Sequence, residues 1–272
     1  MAFLSFTSLA QDNSLEAGMM PNFYRPRNEA VLDIALMYYG DHYSEEDLER
    51  IRVLLEKRFY EATGEQIKLR TKLTLILPFK HLIQDHPDYR SGNITDIERL
   101  QRLWYYDNIG INILSEVYKE MVKAPKEVKL SELDALATIT GAQFDGLAYA
   151  SGRVIVTENP MEVAWGSGGW VEYVSDYQVV DSLIHELGHT LYLDHASKQC
   201  QKPGMTYQEK LECCKSSTSK DDVMSYCRNR DKVDENFYFS FGECNRTTIR
   251  EKIVPAMLKG DKWKLQDIEE CT

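Results

Sequence analysis

The eleven residues from His185 to His195, "HELGHTLYLDH", restrict what this chain can fold into more than any other stretch. His185 and His189 are four residues apart, about 400° of rotation on a helix, so their imidazoles leave one face a turn apart. Two imidazoles so placed can share a tetrahedral metal ion such as Zn²⁺. Glu186 sits one step round, at the edge of that face, where a carboxylate can take a proton from a water beside the metal. If the helix simply continued, His195 would lie about 600° beyond His189, on the opposite face. A third ligand at His195 therefore requires the helix to end and the chain to turn back under the metal. The competing reading of the short pattern is a helix carrying two satisfied histidines, with His195 a bystander.

The flanking sequence predicts a mixed α/β chain. Residues 30 to 39, "AVLDIALMYY", are apolar throughout and fit either a buried strand or a short helix. Ser44 followed by Glu45 and Glu46 reads as an N-cap with an acidic first turn, opening a helix that stops at Gly64. Ile67, Leu69, Thr71, Leu73 and Leu75 then alternate with polar residues, the period of a half-buried strand. Strand, helix, strand implies a crossover unit in a parallel sheet. Residues 94 to 123 read as two helices, and "DALATITG", "GLAYAS" and "RVIVTE" as the remaining strands. The glycine-rich "GSGGW" leads into the histidine-bearing helix, whose Val179, Leu183, Ile184 and Leu187 give it a buried face. A last helix, "TTIREKIVPAML", is expected to be capped by Thr247 or Thr248 and to tolerate or kink at Pro255.

Charge and cysteine usage narrow the partners. The formal net charge of the 272 residues is −11, spread along the chain, which disfavours nucleic acid or an anionic membrane as a bulk electrostatic partner. No apolar run is long enough to span a bilayer. The opening "MAFLSFTSLAQDNS" reads either as the remnant of a secretory signal or as an ordinary N-terminus. All six cysteines (Cys200, Cys213, Cys214, Cys227, Cys244 and Cys271) fall in the last third, which suits local disulfides in an exported, secreted or periplasmic protein; buried thiols are the alternative. Without a CxxC pair, a cysteine zinc site is not expected, and the adjacent Cys213 and Cys214 should each pair elsewhere. Asn93 and Asn245 head glycosylation sequons, relevant only in a host that glycosylates.

Residues His185 to His189 match the HExxH pattern of zinc peptidases. With His195 following, and "DVMSY" about thirty residues downstream, the chain resembles the metzincins, whose pattern is HExxHxxGxxH with a Met-turn. The order of elements resembles that family over most of the chain. "FSFGECNRTTIREKI" resembles the reprolysin segment that enters the last helix.

The resemblance implies a zincin fold: a twisted, mostly parallel sheet with an antiparallel edge strand, an active-site helix, a Met-turn and a C-terminal helix. It implies one catalytic Zn²⁺ on His185, His189 and His195, with Glu186 as general base and Met224 as the hydrophobic floor of the Met-turn. Tyr226 falls where astacins and serralysins carry a tyrosine that can approach the zinc and the tetrahedral intermediate. Gly146, Leu147, Ala148, Tyr149 and Ala150 would form the edge strand that binds the substrate backbone, with an S1′ pocket between the active-site helix and the Met-turn. The activity implied is that of a zinc-dependent endopeptidase acting on proteins or peptides, as a monomer without a transmembrane segment. Residues 1–22 are assigned to a leader and 23–272 to one catalytic domain. In that domain 23–195 form an upper part, with a helical insert near 84–128 that the family does not generally carry, and 196–272 a lower, cysteine-bearing part.

Tyr192 departs from the pattern by standing where the family has glycine; if it keeps the glycine's left-handed conformation, the strain is about 1–2 kcal/mol. Two other functional readings stay open. Glu209, on a helix reading "TYQEKLECC", could be the third ligand of a gluzincin-type site. The chain could also be a non-catalytic binding protein on a zinc-stabilised scaffold, although an intact Glu186 argues against lost catalysis.

Overall fold

The computed structural model describes residues 26–39, 43–77, 132–140, 146–149, 153–157, 175–217, 222–225, 227, 233–237 and 239–260. The expected leader, the helical insert, the "GSGGW" loop, Ala150, Tyr226 and Cys271 lie outside them.

The apolar run after Ala30 is a strand, β1 (Val31–Tyr39), and its side chains from Val31 to Tyr38 are all buried. It shows no alternation because it is an interior strand, paired in parallel with a neighbour on each side and covered on both faces. The acidic helix follows as α1 (Glu45–Ala62), and Ser44 and Asp47 cap it reciprocally: the Ser44 Oγ accepts from the Asp47 amide and the Asp47 side chain from the Ser44 amide. The bonds from Ser44 hold the Asp47 carboxyl down at about 2. Leu48, Ile51, Leu55 and Phe59 form its buried stripe. Gly64 and Glu65 then take left-handed φ angles of 67° and 63°, and the chain enters β2 (Lys68–Leu77). Leu69, Thr71, Leu73 and Leu75 are the less exposed set, opposite exposed Lys68, Arg70, Lys72 and Thr74, as expected of an edge strand.

Three further strands, β3 (Ala135–Thr140), β4 (Gly146–Tyr149) and β5 (Arg153–Thr157), complete a five-stranded sheet in the order β2-β1-β3-β5-β4. All pairings are parallel except β4 with β5, which run antiparallel at the edge. Near the strand starts, the carboxylate of Asp134 is buried and accepts from Arg27 and from the Asp33 amide, while Arg70 chelates Asp33 at 2.6 and 3.0 Å. Burial pushes the Asp134 carboxyl up, against the pull of Arg27.

The histidine-bearing helix, α2 (Asp176–Thr190), is opened by a capping box between Ser175 and Gln178 and packs on α1 and on β3, β4 and β5. Below it lie a short 3₁₀ turn (Lys198–Gln201) and α3 (Tyr207–Ser216), which has no buried residue. Covalent links hold α3 instead: Cys200–Cys213 and Cys214–Cys227 tie it to the loop after His195 and to the segment after Met224, so the adjacent cysteines pair apart. Cys244 is disulfide-bonded as well.

The C-terminal helix differs from expectation. It begins at Glu243 with Gly242 at its N-cap, as α4 (Glu243–Thr248), rather than at Thr247 or Thr248. A π turn (Ile249–Ile253) then runs without a break into α5 (Val254–Lys259), and Pro255, which has no N–H to donate, follows directly on that turn. Among the described residues no helix is long and apolar enough to cross a membrane.

Leu55 is fully buried between α1 and the sheet, so Leu55→Ala should lower stability by about 2–5 kcal/mol, read as a shift in the urea midpoint.

Candidate metal centre

α2 ends with Leu191 at its C-cap, and the next residue, Tyr192, has φ = 62°. The Tyr192 amide donates to the His189 carbonyl at 2.9 Å and the Leu193 amide to the Gly188 carbonyl at 3.0 Å, the two bonds of a Schellman motif. Leu193, which follows the left-handed residue, is buried against the core, the apolar contact that accompanies this motif. A tyrosine thus takes the conformation usually given to glycine, and the chain reverses beneath the helix.

The reversal brings the third histidine back. His195 Nε2 lies 3.1 Å from His185 Nε2 and 3.0 Å from His189 Nε2. The other ring nitrogens face main-chain carbonyls: His185 Nδ1 that of Val223 at 2.8 Å, and His189 Nδ1 that of Leu193 at 3.1 Å. A carbonyl only accepts, so both Nδ1 atoms carry the proton and both Nε2 atoms of the neutral rings present lone pairs. His195 Nε2 is the third nitrogen at the same point. A cation at the point of convergence satisfies all three, and Zn–N bonds of about 2.0–2.1 Å in a tetrahedron set ligand nitrogens about 3.3 Å apart, close to the spacing here. The donor set and its geometry fit zinc.

Glu186 sits beside His185 on α2 and is buried, as is Asp181 a turn earlier. Met224 is fully buried with its sulfur against Gly188, the glycine between the two helix histidines; a Cβ on Gly188 would stand 2.6 Å from Met224 Sδ and 3.0 Å from Phe241. The glycine therefore lets the methionine sit directly under α2. The Ala196 amide donates to the Met224 carbonyl at 3.0 Å, joining the loop after His195 to the turn at Met224.

Glu209 is elsewhere. Its carboxylate closes the capping box of α3, accepting from the Thr206 amide and hydroxyl at 2.6 and 2.8 Å, and it is not part of the histidine group. The bonds from Thr206 hold its carboxyl low, as expected of a cap. The sulfurs of Cys200, Cys214 and Cys227 also approach within 4.8 Å, but all are in disulfides and offer no thiolate.

Several contributors carry no signal in the spacing of histidines. The Val223 and Leu193 carbonyls are main-chain groups. Asn245, a sequon in the sequence, is 1% exposed, and its amide donates to the Asp194 carbonyl at 3.4 Å and to Asp222 at 3.3 Å, so it presents no free amide to a glycosylating enzyme.

The conformation of Tyr192 gives a direct test. Tyr192→Asn and Tyr192→Val both remove the ring, but only asparagine tolerates a positive φ well. The valine protein should be less stable than the asparagine protein by about 1–2 kcal/mol in chemical denaturation.

No protein-family model and no curated protein matches the sequence. Among solved structures the chain is similar to archaemetzincin from Methanopyrus kandleri, at 16% identity over 84% of this chain and 98% of that one, with a TM-score of 0.42. It is similar also to a zinc-dependent peptidase from Methanocorpusculum labreanum, at 15% identity over 79% and 99% of the two chains, with a TM-score of 0.42. A third, from a chaperone–substrate complex, is 12% identical over 86% of this chain and 35% of that one, with a TM-score of 0.37.

Proposed function

We propose that the chain is a zinc-dependent endopeptidase that binds one Zn²⁺ through His185, His189 and His195. The observation that carries this reading is the convergence of three imidazoles, His195 Nε2 lying 3.1 and 3.0 Å from the Nε2 atoms of His185 and His189, whose protons are held on Nδ1 by carbonyl partners on the far side of each ring. When bound, Zn²⁺ would supply Lewis acidity toward a water and toward the scissile carbonyl.

The chain's own groups do the rest. Glu186 takes the proton of the attacking water and delivers it to the leaving amine, so its burial next to His185 keeps the carboxylate close and poorly hydrated. Met224 gives the three rings an apolar floor and excludes water from beneath them. Peptide substrates would extend the sheet at β4, whose pairing with β5 leaves its other edge unpaired among the described residues. Tyr226 is assigned stabilisation of the oxyanion from its place two residues after Met224 in the sequence. Disulfides in the lower part suit a secreted or periplasmic protein.

Glu186→Gln should lower hydrolysis of a denatured protein substrate by about 10²- to 10⁴-fold while zinc content stays that of the parent. Full activity in this variant would overturn the assigned base. A parent protein that binds zinc tightly and cleaves nothing would instead favour a metal-stabilised binding protein.

A further inference from the structure

Behind His185, on the side away from the other two histidines, a single peptide group is held at both ends. Its carbonyl, that of Val223, accepts from His185 Nδ1–H at 2.8 Å. Its N–H, that of Met224, donates to Asp222 Oδ1 at 2.8 Å. Asp222 is 5% exposed, and its carboxylate also accepts from the Gly242 amide and from Asn245 Nδ2 at 3.3 Å. Gly242 is glycine for a visible reason: a Cβ there would stand 2.4 Å from Asp222 Oδ2. From the other side, Asn245 Nδ2 reaches the carbonyl of Asp194, the residue that precedes His195.

We propose that Asp222 is a positioning residue of the metal centre, acting on His185 through the Val223–Met224 peptide, and that Asn245 couples it to the backbone carrying His195. The inference rests on the zinc reading above. A carboxylate drawing on a peptide N–H increases the electron density at the carbonyl of that peptide, because the group is conjugated. The carbonyl then holds the Nδ1 proton of His185 more strongly, and Nε2 becomes a better donor to a metal. Metal-ligating histidines commonly hand their second N–H directly to a carboxylate or a carbonyl; here the two are placed in series. The same bonds fix the ring's rotation, since the peptide plane can tilt only if the buried carboxylate loses a partner.

Asp222→Asn keeps the shape and removes the charge. With its oxygen on the Met224 amide, its new NH₂ must face the N–H donors of Gly242 and Asn245. Asn245→Ala removes the coupling from the opposite side. Zinc affinity is measured by competition with a chromophoric chelator on the full chain, and the His185 Nδ1 proton is followed by NMR in the zinc-loaded protein. Leu55→Ala, which loses core packing far from the site, serves as the control for loss of stability alone.

Each of the two variants is expected to bind zinc about tenfold more weakly than the parent. The His185 Nδ1 proton is expected to move upfield in Asp222→Asn, and the double variant to lose less affinity than the two separate losses combined. Leu55→Ala should unfold earlier and keep parental zinc affinity. Parental affinity in a folded Asp222→Asn protein, with the Nδ1 resonance unmoved, would overturn the proposal and leave the zinc reading intact. If Asp222→Asn does not fold, parental affinity in Asn245→Ala overturns it instead. A parent chain that binds no zinc would overturn both.

Discussion

The reversal of the chain at Tyr192 is the constraint on which the site depends. A helix alone can present His185 and His189 to one point but carries His195 away from it. The left-handed residue and the two Schellman bonds to the Gly188 and His189 carbonyls change the direction within three residues. The turn also does a second task, because the Leu193 carbonyl that emerges from it receives the Nδ1 proton of His189. One reversal therefore supplies the third imidazole and orients the second. The strain of a tyrosine at positive φ, about 1–2 kcal/mol, is small against the core that Leu191 and Leu193 join on either side.

Around this reversal the rest of the fold acts as a vice. The sheet and α1 fix the apolar face of α2 from above, with Val179, Val180, Leu183, Ile184 and Leu187 all buried. From below come Met224 and Phe241, pressed against α2 where Gly188 has no side chain to keep them off. Phe241 donates its amide to Ala62 at the end of α1, and Val223 donates to Ser240, so the floor of the site is bonded to the upper layer and not merely apposed to it. The histidines consequently lie between two packed surfaces joined by hydrogen bonds, an arrangement that restricts the rotation of their rings.

Much of this was legible in the sequence because it depended on periodicity or on local chemistry. The alternation from Ile67 to Leu75, the Ser44 cap with its acidic turn and the need for a reversal after His189 each follow from residues close to one another. The adjacent Cys213 and Cys214 pair apart because neighbours cannot join without straining the backbone. Less legible were features decided by what packs from a distance. The run from Val31 to Tyr38 has no strand signature since both its faces are covered. The last helix starts five residues before Thr248, with Gly242 at its N-cap, and what packs against that glycine is the Asp222 carboxylate, a contact across twenty residues of chain that the sequence does not announce. Asn245 carries the pattern of a glycan acceptor, yet its amide is consumed in holding the site together. The partners of the imidazole Nδ1 atoms are carbonyls, common to every residue and so invisible in any motif.

α3 stands apart from this interlocked arrangement. Every one of its side chains is at least partly exposed, including Tyr207 and Leu211 on its surface, and two adjacent cysteines anchor it, one to Cys200 in the turn after His195 and the other to Cys227 after Met224. Because its placement is covalent, its outer face is not answerable to the core. Residues there can be exchanged over evolutionary time with little effect on folding, provided the cysteines and the cap remain. That leaves α3 a surface free to diverge between related chains while the core itself is held fixed.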